Sequence, residues 1–381
     1  MKRAVIVILI LSLLCSGAWA LTPVPEETLS LPVEAAVLME KSSGEIIYEK
    51  NADQRLPPAS VTKVMTMLLV AEAIDSGKLS LEDTVTGSAN ARSMGGSQIW
   101  LEDGEQMSVQ EMLKCVAVVS ANDCAVALAE HLAGSEEAFV AQMNVRAAEL
   151  GCQNTNFCNC TGLFDDDDHY TSARDLAILS RELLKHSWIR QYTTIWIDSI
   201  RNGEFGLSNT NKLIRYYNGA TGLKTGYTSK AGHCLAASAE RNGTEYIAVV
   251  LHGENSNDRF EAAKTLLNYG FANYTVVPLR PETALAPIPV TLGTADAVQP
   301  VCAGEESMLL EKNRAAGLQY DLQLADTLTA PVKAGEKLGE LTVSAGDSVL
   351  ARVDIVAECS IARMSAWQVF ASLFRHMVGK E

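Results

Sequence analysis

The stretch Pro57-Pro58-Ala59-Ser60-Val61-Thr62-Lys63 sets a hydroxyl three positions ahead of an amine. If a helix begins near Ala59, the two side chains share one face, a turn apart. Proline suits such a start because its missing N–H needs no partner there. Val64, Met65, Leu68, Leu69 and Val70 follow as the apolar run of a buried central helix. The pattern therefore predicts a helix over 61–76, ended before Gly77. A serine hydroxyl is a poor nucleophile until a neighbour takes its proton. A lysine can be that neighbour when burial and nearby positive charge lower its pKa. The free N–H groups of the helix start also favour developing negative charge. A capped helix with an exposed lysine would carry the same letters, so the reading depends on what lies downstream.

Two later stretches supply matching chemistry. Ser120-Ala121-Asn122 interrupts a predicted helical region over 108–133. Its hydroxyl could pass a proton, and its amide could hold a substrate carbonyl or Lys63. Lys224-Thr225-Gly226 falls on a predicted strand over 223–227. Lys224 brings positive charge, Thr225 a hydroxyl, and Gly226 room for a substrate laid along the strand. Alone, these are a helix-capping serine and an exposed strand end. In this order in one chain they form a joint signal for acyl transfer.

Around the motifs, apolar patterning predicts an opening hairpin over 35–39 and 46–48, turned at Ser42-Ser43-Gly44. Helices follow over 135–150, 172–186 and 258–272, the second capped by Ser172 with Asp175 near its start. Strands are expected over 232–239 and 246–251. The order implies an α/β (α+β) domain over 21–275, an antiparallel sheet whose first hairpin and last strands bracket a helical insert. From Val276 the composition changes: Pro278, Pro281, Pro287 and Pro289 punctuate the chain. Leu318, Tyr320, Leu322 and Leu324, then Val349, Ala351, Val353 and Ile355, alternate with polar residues. That period of two predicts a small all-β domain over 276–358. In the tail, 359–381, Ile361, Met364, Trp367, Phe370, Leu373, Phe374 and Met377 recur at helical spacing, with Arg363, Arg375, His376 and Lys380 at other positions. A helix of this kind can lie in a membrane interface; packing on the protein's own surface is the plainer alternative.

The 381 residues carry a formal charge of −15, which argues against a nucleic-acid partner. Lys2 and Arg3, the apolar run Ala4 to Leu14, and Ala18-Trp19-Ala20 read as a secretory signal over 1–20. A lipoprotein reading would use Cys15, but a large leucine precedes it. Cys115, Cys124, Cys152, Cys158, Cys160, Cys234, Cys302 and Cys359 remain in the mature chain and are expected to be mostly reduced and structural. Cys152, Cys158 and Cys160 are close enough to suggest one disulfide or a metal, yet no partner lies at structural-zinc spacing. Asp165 to Asp168 with His169 also invite a metal, although a solvated loop accounts for them, and neither a metal nor a cofactor is called for.

Ser-x-x-Lys, Ser-x-Asn and Lys-Thr-Gly together resemble the signature of penicillin-binding proteins and class A β-lactamases. The chain resembles the low-molecular-weight penicillin-binding proteins, serine-type D-Ala-D-Ala carboxypeptidases. The likeness extends to Ser93-Met94-Gly95-Gly96-Ser97, Gly162-Leu163, Thr171-Ser172-Ala173-Arg174-Asp175, Gly222 to Thr228, Ala231-Gly232 and the final β-domain with its amphipathic helix. It implies that Ser60 attacks the carbonyl between the last two D-alanines of a peptidoglycan stem pentapeptide, with Lys63 as base. Ser120 and Lys224 would relay the proton to the leaving D-alanine, and Asn122 would orient substrate. The N–H groups of Ser60 and Tyr227 would form the oxyanion hole, and Thr225 and Arg259 would hold the terminal carboxylate. β-Lactam antibiotics would acylate the same serine, and the enzyme would work at the outer face of the cytoplasmic membrane. The middle motif has alanine where aspartate is usual, and Cys158 and Cys160 stand where apolar residues or proline are expected. The same motifs also fit a class A-like β-lactamase with Glu149 as deacylating carboxylate, a D,D-endopeptidase, or an inactive wall-binding protein.

Overall fold

The computed structural model describes residues 21–164, 166–281, 283–304 and 307–377. The predicted secretion signal, Asp165 and the end of the tail, Lys380 included, lie outside the described residues. The chain divides into one compact unit over Leu21–Val276 and a second from Val277 onward.

In the first unit, five antiparallel strands form one sheet in the order Ile46–Lys50, Val33–Glu40, Thr244–Gly253, Gly232–Arg241, Ala220–Thr228. The opening strand pairs with the late strand Thr244–Gly253, Val33 opposite Gly253 and Glu40 opposite Tyr246. The chain between the opening hairpin and the closing strands is thus mainly a helical insert, as predicted. Ala35, Ala36, Val37 and Leu38 are all fully buried, which is why this strand is apolar without alternation.

The helix Lys63–Asp75 runs through the middle of the insert. Val64, Met65, Met67, Leu68 and Val70 are fully buried, so it is apolar on every side. Val109–Val118, Asn122–Ala133, Glu136–Glu149 and Ala173–Leu183 pack against it. Short polar side chains set where these helices begin. Ser108 and Glu111 close a capping box, Ser135 accepts from Ala138 N–H, and Ser172 accepts from Asp175 N–H. The predicted helical region over 108–133 is two helices, with Ser120 between them at φ +66°.

The second unit contains a four-stranded antiparallel sheet, Pro300–Cys302, Ser348–Ala357, Lys337–Ala345 and Leu318–Leu324 in that order. Leu341, Val343, Val353 and Ile355 form its buried face. The tail departs from expectation. Ile361 and Arg363 make β-bridges to Val332 and Gly293, and the helix begins only at Ala366, spanning Ala366–Met377. Ile361 is 3% exposed and completes the apolar core around Ile288 and Val290. Burial there outweighs the helical spacing that Ile361 and Met364 share with the aromatic residues beyond.

Candidate active site

The chain enters the site through a single 3₁₀ turn, Ala59–Thr62, that leads into Lys63–Asp75. Ala59 has φ +49°, a strained value for a residue bearing a Cβ. Several contacts hold it there. Thr62 Oγ1 donates to the Ala59 carbonyl at 2.8 Å and lies 2.8 Å from His169 Nε2. The Cys158 N–H donates to His169 Nδ1 at 2.9 Å. Nδ1 is therefore the acceptor, and Nε2 carries the proton that reaches Thr62. His169 is 3% exposed, so burial and these two bonds correct the expectation of a solvated loop at that residue.

Two glycines allow the backbone to close around the turn. A Cβ on Gly162, which has φ +70°, would sit 1.8 Å from the Ala59 carbonyl oxygen. A Cβ on Gly226 would meet Pro58 O at 2.9 Å and the backbone nitrogens of Ser60 and Val61 at 3.0 Å. Gly226 is thus required by the approach of its own strand to the turn that carries Ser60, beyond any room it leaves for substrate.

Lys63 is fully buried, yet every hydrogen-bonding direction of its amine is used. Nζ lies 3.1 Å from Ser60 Oγ, 2.6 Å from Asn122 Oδ1 and 2.7 Å from the Thr161 carbonyl oxygen. The Asn122 amide donates in turn to Gly95 O at 2.7 Å, which orients its oxygen toward Lys63. Asn122 Oδ1 and Thr161 O can only accept, so they take two Lys63 protons in either charge state. Only Ser60 can donate, so a neutral Lys63 points its lone pair at the serine hydroxyl. Burial lowers the Lys63 pKa to about 7, while Cys160 and Asp123 push the other way. The expected help from nearby positive charge is felt instead by Lys224. That amine is held well below its ordinary value by burial first, then by Lys63 and Arg259.

Lys224 is 1% exposed and donates to Thr225 O at 2.9 Å. Thr225 Oγ1 donates to Thr210 Oγ1 at 2.7 Å. Arg259 directs Nη1 at Gly226 O, 2.9 Å away, and at Cys234 O, so its fork braces the strand from within. Tyr227 is 58% exposed, its ring stacked on His233 at 4.4 Å. Ser120 Oγ is buried without a hydrogen-bond partner among the described residues. Such a group costs about 1–3 kcal/mol, and its position two residues before Asn122 puts that cost at the site.

Ser60, Lys63 and Asn122 are therefore directly connected, Lys224 lies within electrostatic reach of Lys63, and Gly226 lies against Ser60 N. Glu149 is elsewhere: it ends the helix Glu136–Glu149 and pairs with Arg146 at 3.2 Å. That pairing speaks against the deacylating role considered for it. The roles of Thr161, His169, Thr62 and Thr210 escaped the sequence reading. Asp123 did too: it fixes the neighbouring wall by accepting from Ile99 and Leu101 N–H at 3.0 Å each. The eight cysteines are free thiols, and Cys160 serves through its carbonyl, which accepts from Thr66 Oγ1. Among the described residues no cluster of three His, Cys, Asp or Glu is arranged to hold a metal.

The chain is also similar to known proteins. The D-alanyl-D-alanine carboxypeptidase family model matches residues 23–255, and that of the penicillin-binding protein 5 C-terminal domain matches 275–363. Bacillus subtilis D-alanyl-D-alanine carboxypeptidase DacF is 41% identical over 330 residues, 85% of each chain. Penicillin-binding protein 5 from Haemophilus influenzae superposes with a TM-score of 0.74 at 29% identity, over 90% of this chain and 100% of that one. Penicillin-binding protein D2 from Listeria monocytogenes, in its ampicillin-bound form, gives a TM-score of 0.58 at 32% identity, over 64% of this chain and 98% of that one.

Proposed function

The chain belongs to the D-alanyl-D-alanine carboxypeptidase family of penicillin-binding proteins, and from that premise we propose that Ser60 is the nucleophile of a serine carboxypeptidase that trims peptidoglycan stem pentapeptides. The observation that carries this reading is the Lys63 amine, buried and bonded to Ser60 Oγ, Asn122 Oδ1 and Thr161 O. Ser60 Oγ attacks the carbonyl between the two terminal D-alanines and its proton passes to the Lys63 lone pair. The N–H groups of Ser60 and Tyr227 stabilise the oxyanion; one such donor is commonly worth about 3–4 kcal/mol. The proton then travels through Ser120 and Lys224 to the departing amine, D-alanine leaves, and water hydrolyses the acyl-enzyme. Asn122 orients both Lys63 and the substrate amide. Thr225 lies on the side that receives the terminal carboxylate, its own proton given to Thr210 Oγ1, with the charge of Arg259 behind the strand.

β-Lactams acylate the same serine, because a strained amide followed by a carboxylate meets the same groups. The nearest carboxylate that sequence offered for fast deacylation, Glu149, is occupied by Arg146. The penicillin adduct is therefore expected to persist. The exposed rings of Trp367, Phe370 and Phe374, stacked at 5.7 Å and 6.4 Å along one helix, support an interfacial anchor at the outer face of the cytoplasmic membrane. Among the described residues no helix is long and apolar enough to cross a membrane. The test is release of D-alanine from a pentapeptide together with penicillin labelling, both lost in Ser60→Ala. Labelling that persists in that variant, or rapid penicillin turnover by the wild type, would refute the assignment.

A further inference from the structure

Resting on the carboxypeptidase reading, we infer that Thr210 is a second substrate-binding residue, its hydroxyl paired with that of Thr225 to receive the carboxylate of the terminal D-alanine. A threonine hydroxyl has one proton to donate. Thr225 gives its proton to Thr210 Oγ1 at 2.7 Å. The proton of Thr210 has no acceptor among the described residues, although the side chain is only partly buried and lies beside the Lys-Thr-Gly strand. A free donor next to the residue assigned to the carboxylate is what an anionic acceptor would use. The cation assigned to the same carboxylate faces inward, since Arg259 spends Nη1 on the carbonyls of Gly226 and Cys234. Direct contact with the anion then falls to the Thr210 hydroxyl, the one of the pair with a proton left to donate, with the Arg259 charge acting from behind.

The backbone on both sides of Thr210 is fastened with unusual care. Asn209 and Asn211 are 5% and 1% exposed, and both turn their amides onto main chain. Asn209 Nδ2 donates to Ile195 O at 2.7 Å, and its Oδ1 accepts from Asn211 N–H at 2.8 Å. Asn211 Nδ2 donates to Gly222 O at 3.1 Å, and its Oδ1 accepts from Leu213 N–H at 3.1 Å. The Thr210 N–H itself donates to Val118 O at 3.1 Å. Gly222 stands two residues before Lys224, and Val118 two before Ser120. The tripeptide Asn209-Thr210-Asn211 thereby ties together the segments that carry the second and third motifs and presents one hydroxyl between them. Rigid presentation of this kind lowers the entropy lost when a ligand is bound.

The test compares two peptides on the full chain: a pentapeptide ending in D-Ala-D-Ala with a free carboxylate, and the same peptide as its C-terminal amide. The variants are Thr210→Val, Thr210→Ser and Thr225→Val, with melting temperatures followed throughout. A hydrogen bond to a charged group corresponds to roughly ten- to hundredfold. Thr210→Val is expected to lose that much in kcat/KM on the acid, mainly through KM, and to leave the amide unchanged, while Thr210→Ser keeps most of the rate. An equal loss on both peptides, or no loss on either, overturns the proposal, because a merely structural threonine does not distinguish an acid from an amide. A wild type that is labelled by penicillin but cleaves the amide as well as the acid overturns the carboxylate role and leaves the carboxypeptidase reading intact. A wild type that neither releases D-alanine nor takes up penicillin overturns both.

Discussion

The floor of the catalytic site and the sheet of the β-domain handle charge in opposite ways. Lys63 and Lys224 are buried almost completely, and burial holds both amines below their ordinary pKa. On the β-domain, Lys337 reaches Glu340 and Asp354, and Arg352 reaches Glu340, through side chains of which all but Glu340 are at least half exposed. The first arrangement costs stability, because a buried amine loses hydration that its few partners replace incompletely. The second costs and contributes little, since exposed pairs are screened and flexible. A fold keeps the costly arrangement only where the altered protonation is itself useful.

The largest test of this contrast is Lys63→Met. It removes the proton acceptor at Ser60 and should slow penicillin acylation by about 10²–10⁴-fold. Stopped-flow or gel-based labelling reads the rate, and a near-wild-type rate would show that another group is the base. Lys224→Met should also depress D-alanine release, yet raise the melting temperature. Among the described residues the Lys224 amine makes one hydrogen bond, to Thr225 O, and an apolar chain of similar length avoids its desolvation. Each kcal/mol recovered corresponds to about 2–4 °C in a unit of this size. A variant less stable than wild type would show that the Lys224 amine contributes to the fold.

The third effect is graded by pH. With Lys63 at about 7, acylation should fall roughly tenfold per unit below that value, since only the neutral amine accepts a proton. Stability follows the same group. Between about 7 and the free-lysine value of 10.5 the unfolded chain holds a proton that the folded chain lacks, so stability rises with pH across that window. Below it both states are protonated and the contribution is flat. A rate independent of pH from 5 to 8 would remove Lys63 from the base role. The smallest effect belongs to the β-domain: Lys337→Met should change neither the acylation rate nor the melting temperature measurably. A clear loss of stability would mean that its pairs with Glu340 and Asp354 matter more than their exposure implies.

Much of the catalytic unit was legible because its motifs couple pattern to chemistry. The apolar run after Lys63 gave a helix buried on all sides, and the Ser120 interruption gave the break between two helices. The unread parts depend on contacts between distant segments. Nothing near His169 in sequence announces that its ring will brace Thr62, and the aspartates preceding it pointed to solvent instead. Thr210 carries no motif; its meaning comes from Thr225, on the strand Ala220–Thr228. Gly226 reads from sequence only as room for a substrate; the tightness of the turn packed against it appears only in three dimensions. In the β-domain, the strand Lys337–Ala345 is hard to read from sequence because Gly339, Glu340 and Ser344 dilute its alternation. The tail misled in the other direction, since Ile361 fits a helical face and a sheet core equally well until the neighbours that bury it are known.

The pairing of the opening strand has a consequence for timing. Val33 meets Gly253, so the middle of the sheet is completed by a segment synthesised long after the first hairpin. Contacts this distant along the chain are slow to form, because the intervening loop must be closed before any of them is rewarded. The early part of the polypeptide thus has no finished sheet to join while the rest is being made. For a chain read as destined for export, that delay keeps the leading segment unfolded and free to be threaded before the enzyme assembles.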